Sequence, residues 1–212
     1  MNQPASQPVP WKCEDYLGHP DPRARAANNL KFIALALHNF AKANGGQLPA
    51  PAIRKDGRPL LSWRVAILPF VEQHSLYRKF HLDEAWDSPH NRPLLEEMPR
   101  VYASATRTDG IPHATHYQAI VGPGALFDGE DGPEILGRVR VANPTFLVVE
   151  AADPVPWAKP EDLPYDEGKP LPKFGGSFED GFYAAYTDGW PRFVGRNVAP
   201  ETILALIGRG NG

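Results

Sequence analysis

The clearest pattern in the chain is a run of apolar positions at steps of three and four. Leu30, Ile33, Leu37 and Phe40 form the stripe, and Ala34 and Ala41 widen it. The pattern predicts an amphipathic helix. Asp21-Pro22 marks its start, because Asp accepts from the free amides of a first turn and Pro suits the first helical position. Asn44-Gly45-Gly46 marks its end, where Gly tolerates the left-handed backbone. About 20 residues at ~1.5 Å each make a rod of ~30 Å. A helix of that length needs something flat beneath it, most simply a sheet.

The remaining periodicities are shorter. Ser62 caps an apolar segment over residues 63–68, which Pro69 interrupts before a restart over 71–80. Asp87-Ser88-Pro89 signals a short helix over 91–97. Strand-forming runs follow at 100–104, 115–121 and 145–151, the last continuous enough for a central strand. Residues 181–186 and 190–194 flank Thr187-Asp188-Gly189, a hairpin signal. Pro200-Glu201 opens a last helix with Ile203, Leu204, Leu206 and Ile207 on its apolar side. Helices come first, then strands, then a terminal helix. That segregation predicts an α+β fold with an antiparallel sheet.

Two stretches do not fit a regular element. Residues 1–20 carry Pro4, Pro8, Pro10 and Pro20 with few apolar anchors and are expected to form a flexible leader. Residues 21–212 are expected to form one domain. Within it, residues 152–176 form a Pro-rich excursion too long for a simple connection.

Composition narrows the function classes. The net charge of −3 and the absence of a basic cluster argue against nucleic acid and anionic membranes. Cys13 is the only cysteine, so no intrachain disulfide can form. No segment reaches the ~18 apolar residues of a membrane span, and no export signal is visible. The chain as written reads as cytoplasmic.

Catalytic signals are weak. There is no nucleophile elbow around any Ser. Gly122-Pro123-Gly124 lacks the Lys-Ser/Thr of a phosphate loop. His113 and His116, three apart, lack Cys or Glu companions at zinc spacing, and His74, His81 and His90 are scattered along polar faces. The expectation is a protein that is not an enzyme, with an unrecognised catalytic site as the remotest alternative. Asp128-Gly129-Glu130-Asp131-Gly132 supplies the hard oxygen donors that Ca²⁺ prefers, without EF-hand spacing. Glu150, Asp153 and Asp162 cluster around the excursion. The candidate metal set is therefore Asp128, Glu130, Asp131, Glu150 and Asp153, with a solvated acidic turn as the alternative. Trp157, Tyr165 and Phe174 could line a groove for a ligand or partner, or could pin the excursion to the sheet.

Several segments carry a family resemblance. They are NNLKFIALALHNF, DGRPLLSWRVAILPFVEQHSLYRKFHLDEAWDSPHN, LLEEMPRVYA, THYQAIVGPGALFDG, FLVVEAADPVPWAKPEDLPYDEGKPLPKFGG, GFYAAYTDGWPRFV and PETILALI, in that order over residues 24–208. They resemble the planctomycete pilin-like domains of unknown function also called bacterial solute-binding protein family ten. The resemblance implies a type IV pilin-like architecture, as in type II secretion pseudopilins, with the N-terminal helix laid along an antiparallel sheet. It also implies precedent for Ca²⁺ in acidic loops, and export or a membrane anchor in most members. This chain departs from the pattern. A polar leader stands where members carry an apolar half-helix. Ala26 and Ser104 stand near a frequent Cys pair, Phe178 where many members carry His, and VANPT at 141–145 where an Asp-Gly-Thr-Ser-Asn run is usual.

The functional expectation is a soluble, non-enzymatic, pilin-like domain in a structural or protein-interaction role. The alternative is a ligand- or solute-binding module, with Ca²⁺ as the candidate cofactor.

Overall fold

The computed structural model describes residues 18–106, 110–135, 144–175 and 177–208. Most of the expected leader lies outside these residues, as do Cys13 and positions 141–143 of the VANPT run.

Helix α1 spans Pro22–Ala43. The Asp21 side chain accepts from Arg23 N, as its capping role requires. At the other end Gly45 takes φ +66 and Gly46 N donates 2.8 Å to Ala41 O, the six-to-one bond of a Schellman stop. The buried residues are Ala26, Asn29, Leu30, Ile33, Ala34, Ala36, Leu37 and Ala41. The alanines let the backbone approach the sheet closely.

The sheet under α1 has four antiparallel strands. They are β3 (Ala114–Gln118), β5 (Phe146–Pro156), β7 (Gly181–Tyr186) and β8 (Pro191–Gly195), in that spatial order. The architecture is thus α+β and pilin-like, with α1 packed on β7, β8 and β5. Alternation along β7 sorts its side chains between two cores. Tyr183 and Ala185 face the α1 side, and Phe182, Ala184 and Tyr186 face the other. That second face is closed by the terminal helix α4 (Pro200–Ile207), through Ile203 and Ile207. Among the described residues, two small pairs complete the β structure: the hairpin β1 (Ala52–Lys55) with β2 (Arg58–Ser62), and the parallel pair β4 (Ile120–Val121) with β6 (Leu163–Pro164).

Between β2 and β3 the chain runs through short helices: α2 (Trp63–Ala66), α3 (His74–Lys79) and 3-10 turns at Leu68–Val71, Arg92–Glu97 and Arg100–Tyr102. The last corrects the strand expected at 100–104. Pro99 starts a 3-10 turn there, and it drives Val101 and Tyr102 into the core instead of into a ladder. The 87–91 stretch forms turns, with the helical segment beginning only at Arg92. The β1–β2 hairpin is an element that the hydrophobic pattern does not predict. Its turn is Asp56-Gly57, both at positive φ (51° and 75°), the geometry that suits a tight hairpin. Among the described residues, no helix is long and apolar enough to cross a membrane.

Candidate functional site

The excursion expected at 152–176 begins as the end of β5 and is fastened to the body by its own side chains. Trp157 is fully buried in the α1-side core. Its indole N–H donates to Leu95 O at 3.1 Å, its ring meets Phe80 edge-on, and it stacks on Tyr102. Tyr165 is half-buried on the opposite side, with its amide donating 2.8 Å to Val121 O. Phe174 lies on that same side, stacked on Phe182 at 4.9 Å. The three aromatics therefore do not line one groove: Trp157 belongs to one core, while Tyr165 and Phe174 pack on the other.

The strongest fastening is polar. Ser62 caps α2, its hydroxyl accepting from Arg64 N, and Arg64 is buried. Arg64 Nη2 lies 2.7 Å from Asp162 Oδ1, and both side chains are almost wholly buried. Every arm of the guanidinium is used: Nε donates to Tyr117 O and Nη1 to Ser62 Oγ. Asp162 Oδ1 also accepts from Trp63 Nε1 and Ala119 N. Burial pushes the Asp162 carboxyl up, and the Arg64 charge with the Trp63 and Ala119 donors pulls it back. A buried charge pair with this many partners holds elements in register. It joins α2, β3 and the excursion at one point. Nothing in the spacing of Arg64 and Asp162 along the chain signals that they meet.

The five acidic residues separate into two places. Asp128, Glu130 and Asp131 sit exposed in the loop after Phe127, and Glu130 pairs with Arg54 at 3.2 Å. Glu150 is buried in β5, where its Oε2 accepts from Tyr183 N at 2.8 Å. Asp153 is exposed further along β5, and its carbonyl accepts from Gln118 Nε2. Among the described residues, no group of three or more His, Cys, Asp or Glu is arranged to hold a metal ion.

The structure also gathers residues that stand apart in the sequence. His81 and His90 stack at 3.4 Å with rings 4° from parallel. Buried Asn91 makes this possible. Its Nδ2 donates to the carbonyls of His81, Glu84 and Ala85, and its Oδ1 accepts from His81 N. His116 is buried and bonds Ala151 O through Nδ1.

Two of the open surfaces among the described residues combine aromatic and cationic side chains. One is a groove of about 1160 Å³ between α4 and the bend at 165–169, with Tyr165, Lys169, Tyr186, Arg192 and Leu204 among its walls. The other runs along α1 and the β8 edge as a series of cations on aromatic rings. The Arg23 guanidinium lies 4.8 Å from the Phe178 ring centre and 4.9 Å from that of Phe193, and it is bonded to both oxygens of Asp180. Lys31 Nζ lies 5.1 Å from the Trp190 ring centre. One helical turn on, Leu35 is 52% exposed, and Trp190 itself is 59% exposed. Helical periodicity is the signal that could flag Leu35, since it falls outside the stripe of Leu30, Ile33 and Leu37.

A family model described as SBP_bac_10, protein of unknown function (DUF1559), matches residues 23–146, more than half of the chain. No curated protein matches, and no solved structure matches.

Proposed function

The chain belongs to the SBP_bac_10 (DUF1559) family, and from that premise we propose that it is a non-enzymatic pilin-like module whose α1–β8 face docks a protein partner. The observation that carries this reading is the exposure of Trp190, stacked under Lys31, and of Leu35 one helical turn from Lys31, on the helix that also carries the Arg23 stack. Large apolar side chains rimmed by charge are the usual anatomy of a protein contact, and Trp and Arg are its commonest anchors. The groups with the most chemical potential support the reading from the other side. Arg64, Asp162, Glu150 and Trp157 are all engaged in internal bonds, which leaves them to positioning rather than turnover.

The test is a double substitution, Leu35→Glu with Trp190→Glu, in the protein used as bait in the cells that make it. Folding is expected to persist, since both side chains are exposed, and recovery of the partner is expected to fall at least tenfold. Undiminished recovery contradicts the reading.

A second reading has one specific observation behind it. The groove at α4 joins two tyrosines, Tyr165 and Tyr186, to the cations Lys169 and Arg192. Concave sites with aromatic walls and a few polar groups suit small ligands. A ligand there raises the unfolding temperature of the wild type and not of Tyr165→Ala.

A further inference from the structure

The β7–β8 ladder fixes which way each backbone group of β8 points. Arg196 N donates 2.8 Å to Asp180 O, and Tyr186 N donates 3.2 Å to Trp190 O. Between these bonds the register sets Ala184 opposite Arg192 and Phe182 opposite Val194. Hydrogen-bonded pairs of an antiparallel ladder recur at every second residue, so Arg192 and Val194 turn their backbone groups to β7. Pro191, Phe193 and Gly195 point theirs away from it. β8 is the last strand of its sheet, and Arg192 and Phe193 are exposed. Among the described residues, no side chain or loop carbonyl is bonded to the amide of Phe193 or Gly195.

An open edge of this kind can take a further strand, and the details of β8 favour a strand like itself. Pro191 has no N–H, so a foreign strand laid here leaves a carbonyl without a donor. Gly195 O already accepts from Val198 N at 3.1 Å. An antiparallel copy centred on Phe193 sets these two features against each other: the missing Pro191 donor faces the occupied Gly195 carbonyl. The remaining groups all find partners. Phe193 N donates to Phe193 O of the second copy in both directions, and Gly195 N of each copy donates to Pro191 O of the other.

α1 borders this edge. Arg23 stacks on Phe193 and Lys31 on Trp190, so this flank of the helix faces β8, and Leu35 follows Lys31 at i+4 on it. Exposed Leu35 and Trp190 therefore stand beside the open strand. A two-fold through Phe193 keeps both α1 helices on one face of the joined sheet, whose strands lie ~4.8 Å apart. It sets the Phe193 ring beside its own copy and Trp190 opposite the exposed Arg196 of the second copy, a ring and a cation that attract. Each Arg23 near the axis is already bonded to both oxygens of Asp180, which offsets its charge.

We propose that β8 pairs with β8 of a second copy of this chain, antiparallel and centred on Phe193, so that two four-stranded sheets become one. This pairing rests on the docking role of the α1–β8 face and supplies its partner.

The experiment is analytical ultracentrifugation of the full chain, joined to residue-resolved hydrogen exchange by NMR. Dimer is expected to grow in as concentration rises. Exchange at the Phe193 and Gly195 amides is then expected to slow about tenfold or more, while Arg192 and Val194, already bonded to β7, stay unchanged. Phe193→Lys and Phe193→Glu each set like charges across the axis, with Cα atoms roughly 5.5 Å apart, and each is expected to be monomeric. Their equimolar mixture is expected to dimerise again, because pairing of position 193 with its own copy turns repulsion into attraction. A wild type that stays monomeric up to about 100 μM overturns the pairing. So does a dimer whose Phe193 and Gly195 amides are unprotected, a charge variant that dimerises alone, or a mixture that stays monomeric. If the charge variants do not fold, the wild-type exchange pattern decides alone. A monomeric wild type whose Leu35→Glu, Trp190→Glu bait still loses a partner sinks the self-pairing and keeps the docking role.

Discussion

Arg64 and Asp162, 98 positions apart, meet 2.7 Å from each other inside the protein, where α2, β3 and the excursion converge. Removing one member strands a charge in a medium that cannot solvate it. Asp162→Ala is expected to cost about 3–5 kcal/mol in urea unfolding. Replacing the pair together, Arg64→Met with Asp162→Leu, is expected to recover most of that loss, because two apolar side chains leave no stranded charge. A double variant no more stable than Asp162→Ala shows that the bonds to Tyr117, Ser62 and Ala119 matter more than the charge.

Asn91 holds the bend between α3 and the 3-10 turn at Arg92–Glu97 through three donated bonds and one accepted bond. Asn91→Ala leaves those buried backbone groups unpaired, at ~1–3 kcal/mol. It should also separate the His81 and His90 rings, seen as a change in their imidazole NMR shifts. Unchanged shifts indicate that the ring stack holds the bend by itself.

Gly122 has φ +140, and a Cβ on it would lie 2.0 Å from Tyr165 O. The close approach is what lets β4 and β6 pair at Val121 and Pro164. Gly122→Ala is expected to cost ~1–3 kcal/mol from crowding alone, with added backbone strain. It should raise hydrogen exchange at Tyr165. Wild-type stability in this variant would mean that the Tyr165 segment can shift at little cost.

His38 sits on α1 beneath the β7–β8 turn, where a Cβ added at Gly189 would lie 3.6 Å from its Nε2, and that Nε2 is buried without a partner. Burial lowers its pKa, and the nearby Thr187 backbone and the Asp188 charge oppose this only in part. The folded state thus prefers the neutral ring. Its contribution is present above the unfolded value of 6.5 and is lost as pH falls through the lower folded value. His38→Gln is expected to reduce the stability lost between pH 7.5 and pH 5, measured as the difference between the two proteins. An identical pH dependence contradicts this placement of the ring.

Local chemistry makes α1 legible in the sequence. Asp21-Pro22 and Asn44-Gly45-Gly46 bound the helix where the caps are found, and Leu30, Ile33, Ala34, Leu37 and Ala41 of the stripe are buried, with Phe40 half-buried and Ala26, Asn29 and Ala36 buried outside it. The β7–β8 hairpin is equally plain from Thr187-Asp188-Gly189. The β1–β2 hairpin has the same kind of signal in Asp56-Gly57, but its flanks, Arg54-Lys55 and Arg58-Pro59, are too polar to read as strands. At Arg100–Tyr102 the residues have strand-forming preferences, but tertiary burial of Tyr102 beside Trp157 overrides them. The candidate site is the least legible part. Arg64 with Asp162, His81 with His90, and Lys31 with Trp190 are pairings over distances where sequence pattern carries no information. The acidic residues and aromatics look like sets because they are neighbours in sequence, and the strands send them to different faces.

The most direct measurement of the central claim is site-specific photo-crosslinking in the cells that make the protein. A photoreactive residue is placed at position 35, 190, 204 or 96 in turn. Positions 35 and 190 are expected to yield a discrete protein adduct, while 204 in the α4 groove and 96 on the far turn yield none. Adducts confined to position 204, or no adduct at 35 and 190, contradict a docking role for the α1–β8 face.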